Sequence, residues 1–90
     1  MTGDGQKQKM SLGLAGRGFR GLIDAIAVDL DQNGLPAAEI ERRLLELGFV
    51  EGAMVEILHE GPVGHDPIAV RVNNTTIALR RREAMAIFVT

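Results

Sequence analysis

Helical periodicity is confined to one short segment of this chain, and that restriction narrows the possible folds more than any other feature. Over residues 36–47, apolar side chains recur at spacings of three and four on one face; they are Ala37, Ile40, Leu44 and Leu47. Pro36 suits a first helical turn. Gly48 suits the left-handed position after a helix, with Phe49 folding back onto the last turns. The sequence therefore predicts one helix, over residues 36–47.

The other patterned segments are short and typical of β-strands. Residues 22–30 are apolar and β-branched, and a break in alternation at Asp24 and Ala25 predicts a bulge. Residues 53–59 alternate, with Val55 and Ile57 on one face and three residues on the other. Those three are Met54, Glu56 and Leu58.

The last third of the chain continues the β pattern. A loop over residues 61–67 leads to alternating residues 68–72, and Asn73-Asn74 then predicts a two-residue hairpin turn because Asn tolerates positive φ. Residues 75–79 form the return strand. One helical turn over residues 80–84 and a short final strand over 85–89 complete the prediction.

Short strands, tight turns and a single helix without βαβ alternation predict an all-β class, a small barrel-like sheet of about five strands. The inserted helix would cover an open end. Residues 1–10 lack an apolar pattern and are expected to form a disordered arm, which leaves residues 11–90 as one domain. The glycine-rich residues 12–21 are expected to form a loop.

Composition excludes several function classes. The 90 residues include no cysteine, which removes disulfides and thiolate ligands, and a net charge of −2 disfavours nucleic-acid binding. Three phenylalanines are the only aromatic residues, so stacking platforms for single-stranded nucleic acid are not expected. No apolar run is long enough to span a membrane and no signal peptide is visible. A cytoplasmic, non-enzymatic module is expected, since no paired catalytic groups are evident.

Several motifs match parts of known sites without the required context. Residues 16–21 spell GxGxxG, but a β-like segment rather than a helix follows. Residues 29–34 begin like a calcium loop, but Ile40 occupies the place of the bidentate glutamate. The candidate metal ligands His59, His65 and Asp66, with Glu60 beside them, have the spacing of no standard site. The run of three arginines, 80–82, favours a solvated face over a phosphate contact. We therefore expect no cofactor and no resident metal.

Longer stretches resemble the FeoA family. Residues 42–52 resemble its helix-to-strand motif, and residues 61–72 and 76–81 resemble its following strands, in order and at matching spacing. Residues 18–23 match the entry to its first strand, so that the resemblance covers about residues 12–90. His65 stands as an apparent insertion between Gly64 and Asp66. The resemblance implies an SH3-like β-barrel with one inserted helix.

The family resemblance also implies a function, that of a cytosolic accessory to FeoB, the membrane transporter of ferrous iron. Most of its motif residues have a structural role in turns and core: Leu44, Leu47, Gly48, Phe49, Gly52, Gly64 and Pro67. We expect a surface that binds the transporter on the exposed side of the helix and on the outward face of the next strand. This predicted partner patch comprises Arg42, Arg43, Glu46, Met54, Glu56 and Leu58, because apolar side chains on an outward face tend to mark interaction sites.

Two further hypotheses remain open from the sequence. The same domain occurs at the C-terminus of iron- and manganese-dependent repressors, so the alternative function is a sensor of Fe²⁺ or Mn²⁺ that uses His59 and His65. A free sheet edge would also support a homodimer through strand addition, although no residue demands it.

Overall fold

Six antiparallel strands form one sheet in the order β1-β6-β2-β3-β4-β5 in this computed structural model, which describes residues 9–27 and 37–90. In chain order the strands are β1 Met10–Ser11, β2 Arg20–Ile26, β3 Met54–Val63, β4 Asp66–Val72, β5 Thr75–Leu79 and β6 Ile87–Val89. The mainly β class is confirmed. Within the described residues, no helix is long and apolar enough to cross a membrane.

The first strand was not expected from the sequence. Met10 pairs with Val89 and Ser11 with Phe88, so β1 includes a residue that the sequence analysis placed in the N-terminal arm. Residues 1–8 of that arm lie outside the described residues. Leu12 to Leu14 then form a 3₁₀ turn in which Leu12 is fully buried. The predicted loop over residues 12–21 is therefore limited to residues 15–19, before β2 begins; at its start, Ser11 Oγ accepts from Gly13 N (3.1 Å) and donates to Met85 O (3.0 Å).

The principal helix, α1, spans Ala37–Glu46 and confirms the predicted segment. Its end is a Schellman motif: Phe49 N donates to Leu44 O (3.0 Å) and Gly48 N donates to Leu45 O (3.0 Å). Gly48 has a φ of 106°, which a residue with a Cβ rarely adopts. Phe49 and Leu44 are buried, whereas Ile40 and Leu47 are half-buried against the core.

A bulge shifts the register of β2 against β6 between Ile23 and Ala25, as the sequence predicts. Residues 28–36 lie outside the described residues, and with them the end of the predicted first strand and the calcium-like residues 29–34. The single helical turn near the C-terminus is confirmed as α2, Arg81–Ala84. It precedes β6, which confirms the predicted last strand.

The predicted loop over residues 61–67 does not form. β3 continues to Val63, which pairs with Asp66 across a two-residue turn of Gly64 (φ 66°) and His65 (φ 61°). The hairpin requires glycine at position 61 because the two backbones approach closely there: a Cβ on Gly61 would overlap the Asp66 carbonyl group. The register of the pair shifts between Glu60 and Val63, which accommodates the intervening residues.

The next hairpin forms as predicted, with Asn73 and Asn74 at φ 51° and 66°. The core lies on the inner face of the curved sheet, under α1 and the segment that follows it. Its largest fully buried side chains come from the 3₁₀ turn, α1, the segment after it and strands β3 to β6: Leu12, Leu44, Phe49, Val55, Ile57, Ile68, Val70, Val72, Leu79, Ile87 and Val89.

Candidate functional site

The predicted partner patch has a sheet half on β3 (Met54, Glu56 and Leu58) and a helix half on α1 (Arg42, Arg43 and Glu46). The sheet half faces outward. Val55 and Ile57 are fully buried, whereas Met54 is 47% exposed, so β3 presents the two faces that its alternation predicts. Glu56, on the same face as Met54, is half-buried, and Leu58 is half-buried where the register of β3 against β4 shifts between Ile57 and His59.

An exposed apolar residue that the sequence analysis missed lies beside Met54. Leu22 of β2 is directly opposite Met54 in the antiparallel register and is 46% exposed. Side chains opposite one another in such a pair lie on the same face within contact distance. Alternation did not identify Leu22 because the bulge that follows Ile23 interrupts the pattern of β2.

Charged and amide side chains surround this apolar pair. Arg20 and Arg71 are the register partners of Glu56 from the two neighbouring strands. With Met54 and the turn residues Asn73 and Asn74, they line a shallow groove of about 220 Å³, the sheet groove. The surface of the sheet groove is apolar at Met54 and carries both positive and negative side chains around it.

The helix half of the patch lies against α2 instead. Arg42 and Arg43 line a groove of about 420 Å³ between the two helices, the helix groove, together with Arg82 and Glu83. Arg43 Nη1 forms an ion pair with Glu83 Oε2. The two halves of the predicted patch therefore line different grooves, although the end of α1 meets the sheet groove where Asn73 Nδ2 donates to Gly48 O (3.4 Å).

The i,i+4 spacing of opposite charges along the exposed side of α1 does not produce ion pairs among the described residues. Among the described residues, neither Glu39 with Arg43 nor Arg42 with Glu46 comes within 4.0 Å. Arg43 reaches Glu83 instead because that carboxylate is already oriented: its Oε1 accepts from Arg80 N (3.1 Å) at the start of α2. Glu46 is exposed at the last position of α1.

The candidate metal ligands are partly brought together but do not form a metal centre. His65 Nδ1 lies 3.4 Å from Glu60 Oε1, and Asp66 Oδ1 accepts from Arg81 N (2.9 Å). His59 is exposed. In residues 9–27 and 37–90, no group of three histidine, aspartate or glutamate side chains is placed to hold a metal ion.

Arg81 occupies the centre of this region, where the sequence analysis expected a solvated arginine. Its side chain is only 20% exposed. The guanidinium donates four hydrogen bonds, to His65 O (2.8 Å), Ala15 O (2.7 Å), Gly13 O (3.1 Å) and Glu60 Oε2 (2.7 Å). Arg81 therefore joins α2, the 3₁₀ turn and the β3–β4 hairpin, and we call this set of contacts the Arg81 junction. No local pattern in a run of three arginines could have identified it.

The motif residues assigned a structural role lie at turns and in the core. Gly52 and Gly64 have positive φ, of 85° and 66°. Pro67 is half-buried near the start of β4, after a cis peptide bond. Leu47 packs at the margin of the core.

Comparison with known proteins places this arrangement in a family. The model of the FeoA domain matches residues 10–90. FeoA of Stenotrophomonas maltophilia, solved with zinc and described as a prokaryotic SH3 domain protein, is 38% identical over 90% of this chain and 89% of its own, with a TM-score of 0.73. No curated protein matches the chain significantly.

Two further solved structures share the fold. FeoA from Chlorobium tepidum is 32% identical, with a TM-score of 0.72 over 89% of this chain and 68% of its own. A manganese-dependent transcriptional repressor is 20% identical, with a TM-score of 0.72 over 98% of this chain and 46% of its own, a likeness of fold alone. The domain match and the SH3-like sheet with one inserted helix lead to one conclusion: this chain belongs to the FeoA family.

Proposed function

We propose that this protein is an accessory of bacterial ferrous iron transport, which acts in the cytoplasm by binding the cytosolic part of a FeoB-type membrane transporter. Membership of the FeoA family supports the transport role. So does the similarity to the S. maltophilia protein, described as a candidate activating factor of ferrous iron transport. Binding rather than catalysis is the mode of action that the surface favours.

The observation that carries the binding role is the exposed pair Leu22 and Met54. Each is nearly half exposed, at 46% and 47%, on the outward face of the sheet, among the residues that the structure describes. Covering both would remove apolar surface from water and stabilise a complex. The alternating charges of Arg20, Glu56 and Arg71 beside them would fix the orientation of a partner.

The test is the affinity of the transporter's cytosolic part for the Leu22→Ser/Met54→Ser double variant, measured by biolayer interferometry. We expect binding at least about tenfold weaker, since two apolar side chains no longer contribute to the interface. Val63→Ser is the matched control, because Val63 is 80% exposed at the tip of the β3–β4 hairpin, away from the sheet groove. Equal affinities of the double variant and the wild type would contradict this surface. Circular dichroism checks that each variant folds.

The predicted patch as a whole extends to Leu58 and to Arg42, Arg43 and Glu46. Met54→Ser/Leu58→Ser is expected to weaken the same interaction, but part of its effect would come from repacking, because Leu58 is half-buried. The Leu22→Ser/Met54→Ser variant is therefore the sharper probe of the sheet half. Ferrous iron uptake in cells that carry each variant gives the corresponding functional measurement.

Metal sensing remains the alternative, and calorimetry with Fe²⁺ or Mn²⁺ without oxygen distinguishes it. Micromolar binding that is lost in His59→Ala/His65→Ala would favour a sensor. The Glu60 and His65 pair offers two ligands, and Glu60 also accepts from Arg81, whose positive charge opposes a cation there. The geometry therefore favours the binding role.

A further inference from the structure

The helix groove differs from the sheet groove in the charge that it presents. Its walls carry three arginines, Arg42 and Arg43 from α1 and Arg82 from α2, around the half-buried Ile40. A volume of about 420 Å³ is sufficient for one apolar side chain with flanking polar groups.

One of these arginines already binds a carboxylate inside the groove. Arg43 is paired with the carboxylate of Glu83, which lies inside the same groove. Arg42 and Arg82 line that groove with no carboxylate within 4.0 Å among the residues that the structure describes, and both are exposed. They are fork-shaped donors suited to carboxylates.

The positive surface continues past Arg82. Arg82 also lines an adjoining cleft with Arg80 and Asp66. The carboxylate of Asp66 already accepts from Arg81 N, and Glu83 accepts from Arg80 N and Arg43. The acids of these two clefts are thus engaged within the molecule, apart from Glu39, which lines the helix groove.

We propose that the helix groove binds an acidic peptide segment of the transporter, with carboxylates on Arg42 and Arg82 and an apolar side chain on Ile40. This inference rests on the proposed function and names the chemistry of the segment that would dock beside α1. Arg42 and Arg82, on the two walls and without a carboxylate partner among the described residues, are electrostatically complementary to a segment with two acidic residues. The apolar wall favours such a peptide over a nucleic acid, as does a net charge of −2 over the whole chain.

The first test is a ¹H–¹⁵N NMR titration with the acetylated, amidated peptide Gly-Asp-Leu-Asp-Gly. We expect saturable shifts at Ile40, Arg42 and Arg82 that weaken with added salt. The isosteric peptide Gly-Asn-Leu-Asn-Gly, which lacks the charges, should bind at least about tenfold more weakly. Equal binding of the two peptides, or shifts that avoid the groove, would overturn the proposal. The proposal would also be overturned if a short DNA duplex competed with the acidic peptide and bound more tightly than the peptide does.

The second test uses Arg42→Glu and Arg82→Glu with the transporter's cytosolic part. Each should weaken binding about tenfold, since charge reversal replaces an attraction with a repulsion. Arg17→Glu makes the same charge change at an exposed position near the start of β2 and should leave the affinity unchanged.

The outcomes of the second test separate this proposal from the proposed function. If the wild type binds the transporter and both groove variants bind equally well, the helix groove is not the site, although the protein still binds its partner. If the wild type does not bind, both the proposed function and this inference are overturned.

Discussion

Arg81 and Arg82 are neighbours in the chain, but the Arg81 side chain is hydrogen-bonded within the molecule, whereas the Arg82 side chain is exposed. The Arg81 side chain is 20% exposed, and its guanidinium donates four hydrogen bonds, all to groups of this same chain. Arg82 is exposed on the wall of the helix groove. A run of like charges can therefore contain both a structural residue and an exposed one that is free to contact a partner, and only the packing around each distinguishes them.

The largest expected effect is on stability, at the Arg81 junction. Arg81→Ala should lower the free energy of unfolding by about 3 kcal/mol, because it leaves Glu60 and three carbonyl groups without their donor. Urea unfolding followed by circular dichroism measures it. Arg82→Ala is the control, with a change within about 0.5 kcal/mol. Similar losses in the two variants would contradict the distinction between them.

A smaller loss is expected when only the shape of the donor changes. Arg81→Lys keeps the charge but cannot donate to four acceptors in the geometry of a guanidinium. We expect it to lose about half of what Arg81→Ala loses, or about 1.5 kcal/mol in urea unfolding. Full stability in Arg81→Lys would show that charge alone holds the junction together.

Glu83 contacts both the start of α2, beside the Arg81 junction, and Arg43 in the helix groove. Its substitution is expected to have the next largest effect on stability. Glu83→Gln weakens both the pair with Arg43 and the bond from Arg80 N at the start of α2. The expected loss is about 1 kcal/mol of unfolding free energy, since one contact is a surface ion pair and the other a helix cap. Thermal unfolding measures it, with Glu51→Gln, exposed between α1 and β3, as the control.

The smallest effect concerns binding. The same Glu83→Gln change releases Arg43 into the helix groove, so the acidic peptide should bind about twofold to fivefold more tightly. NMR titration gives the affinity. Weaker binding would indicate that Glu83 positions Arg43 for the ligand rather than competing with it.

Local signals predicted part of the fold well. The spacing of apolar residues identified α1, and Gly48 with Phe49 identified its end, because a Schellman motif depends on neighbouring residues alone. The Asn73-Asn74 turn was predicted for the same reason. The β3–β4 hairpin was not, since glycine and proline inside a strand resemble a loop until the close approach of Gly61 to Asp66 is known.

The candidate site was harder to predict because its contacts are distant in sequence. The partners of Arg81 lie 15 to 68 residues away, and the pair of Arg43 with Glu83 spans 40. Leu22 became an apolar neighbour of Met54 only through the register of β2 with β3. Alternation placed Met54, Glu56 and their neighbours on the correct face, but not the strand that lies beside them.

The pairing of Met10 with Val89 has a consequence for how this protein is made. The ribosome releases the chain from its N-terminus onwards, so β1 emerges long before β6. β1 therefore stays unpaired until β6 is released. Because β6 lies between β1 and β2, β1 has no neighbouring strand before β6 is released, whereas β2 can already pair with β3. Pairing of β1 with β6 closes a loop of almost the whole chain. The entropy cost of closing so long a loop makes this pairing a late step in folding. The sheet is therefore completed only after synthesis of Val89, and a ribosome stalled just before that point would hold a chain in which β1 is unpaired and the edge of β2 that later pairs with β6 is open.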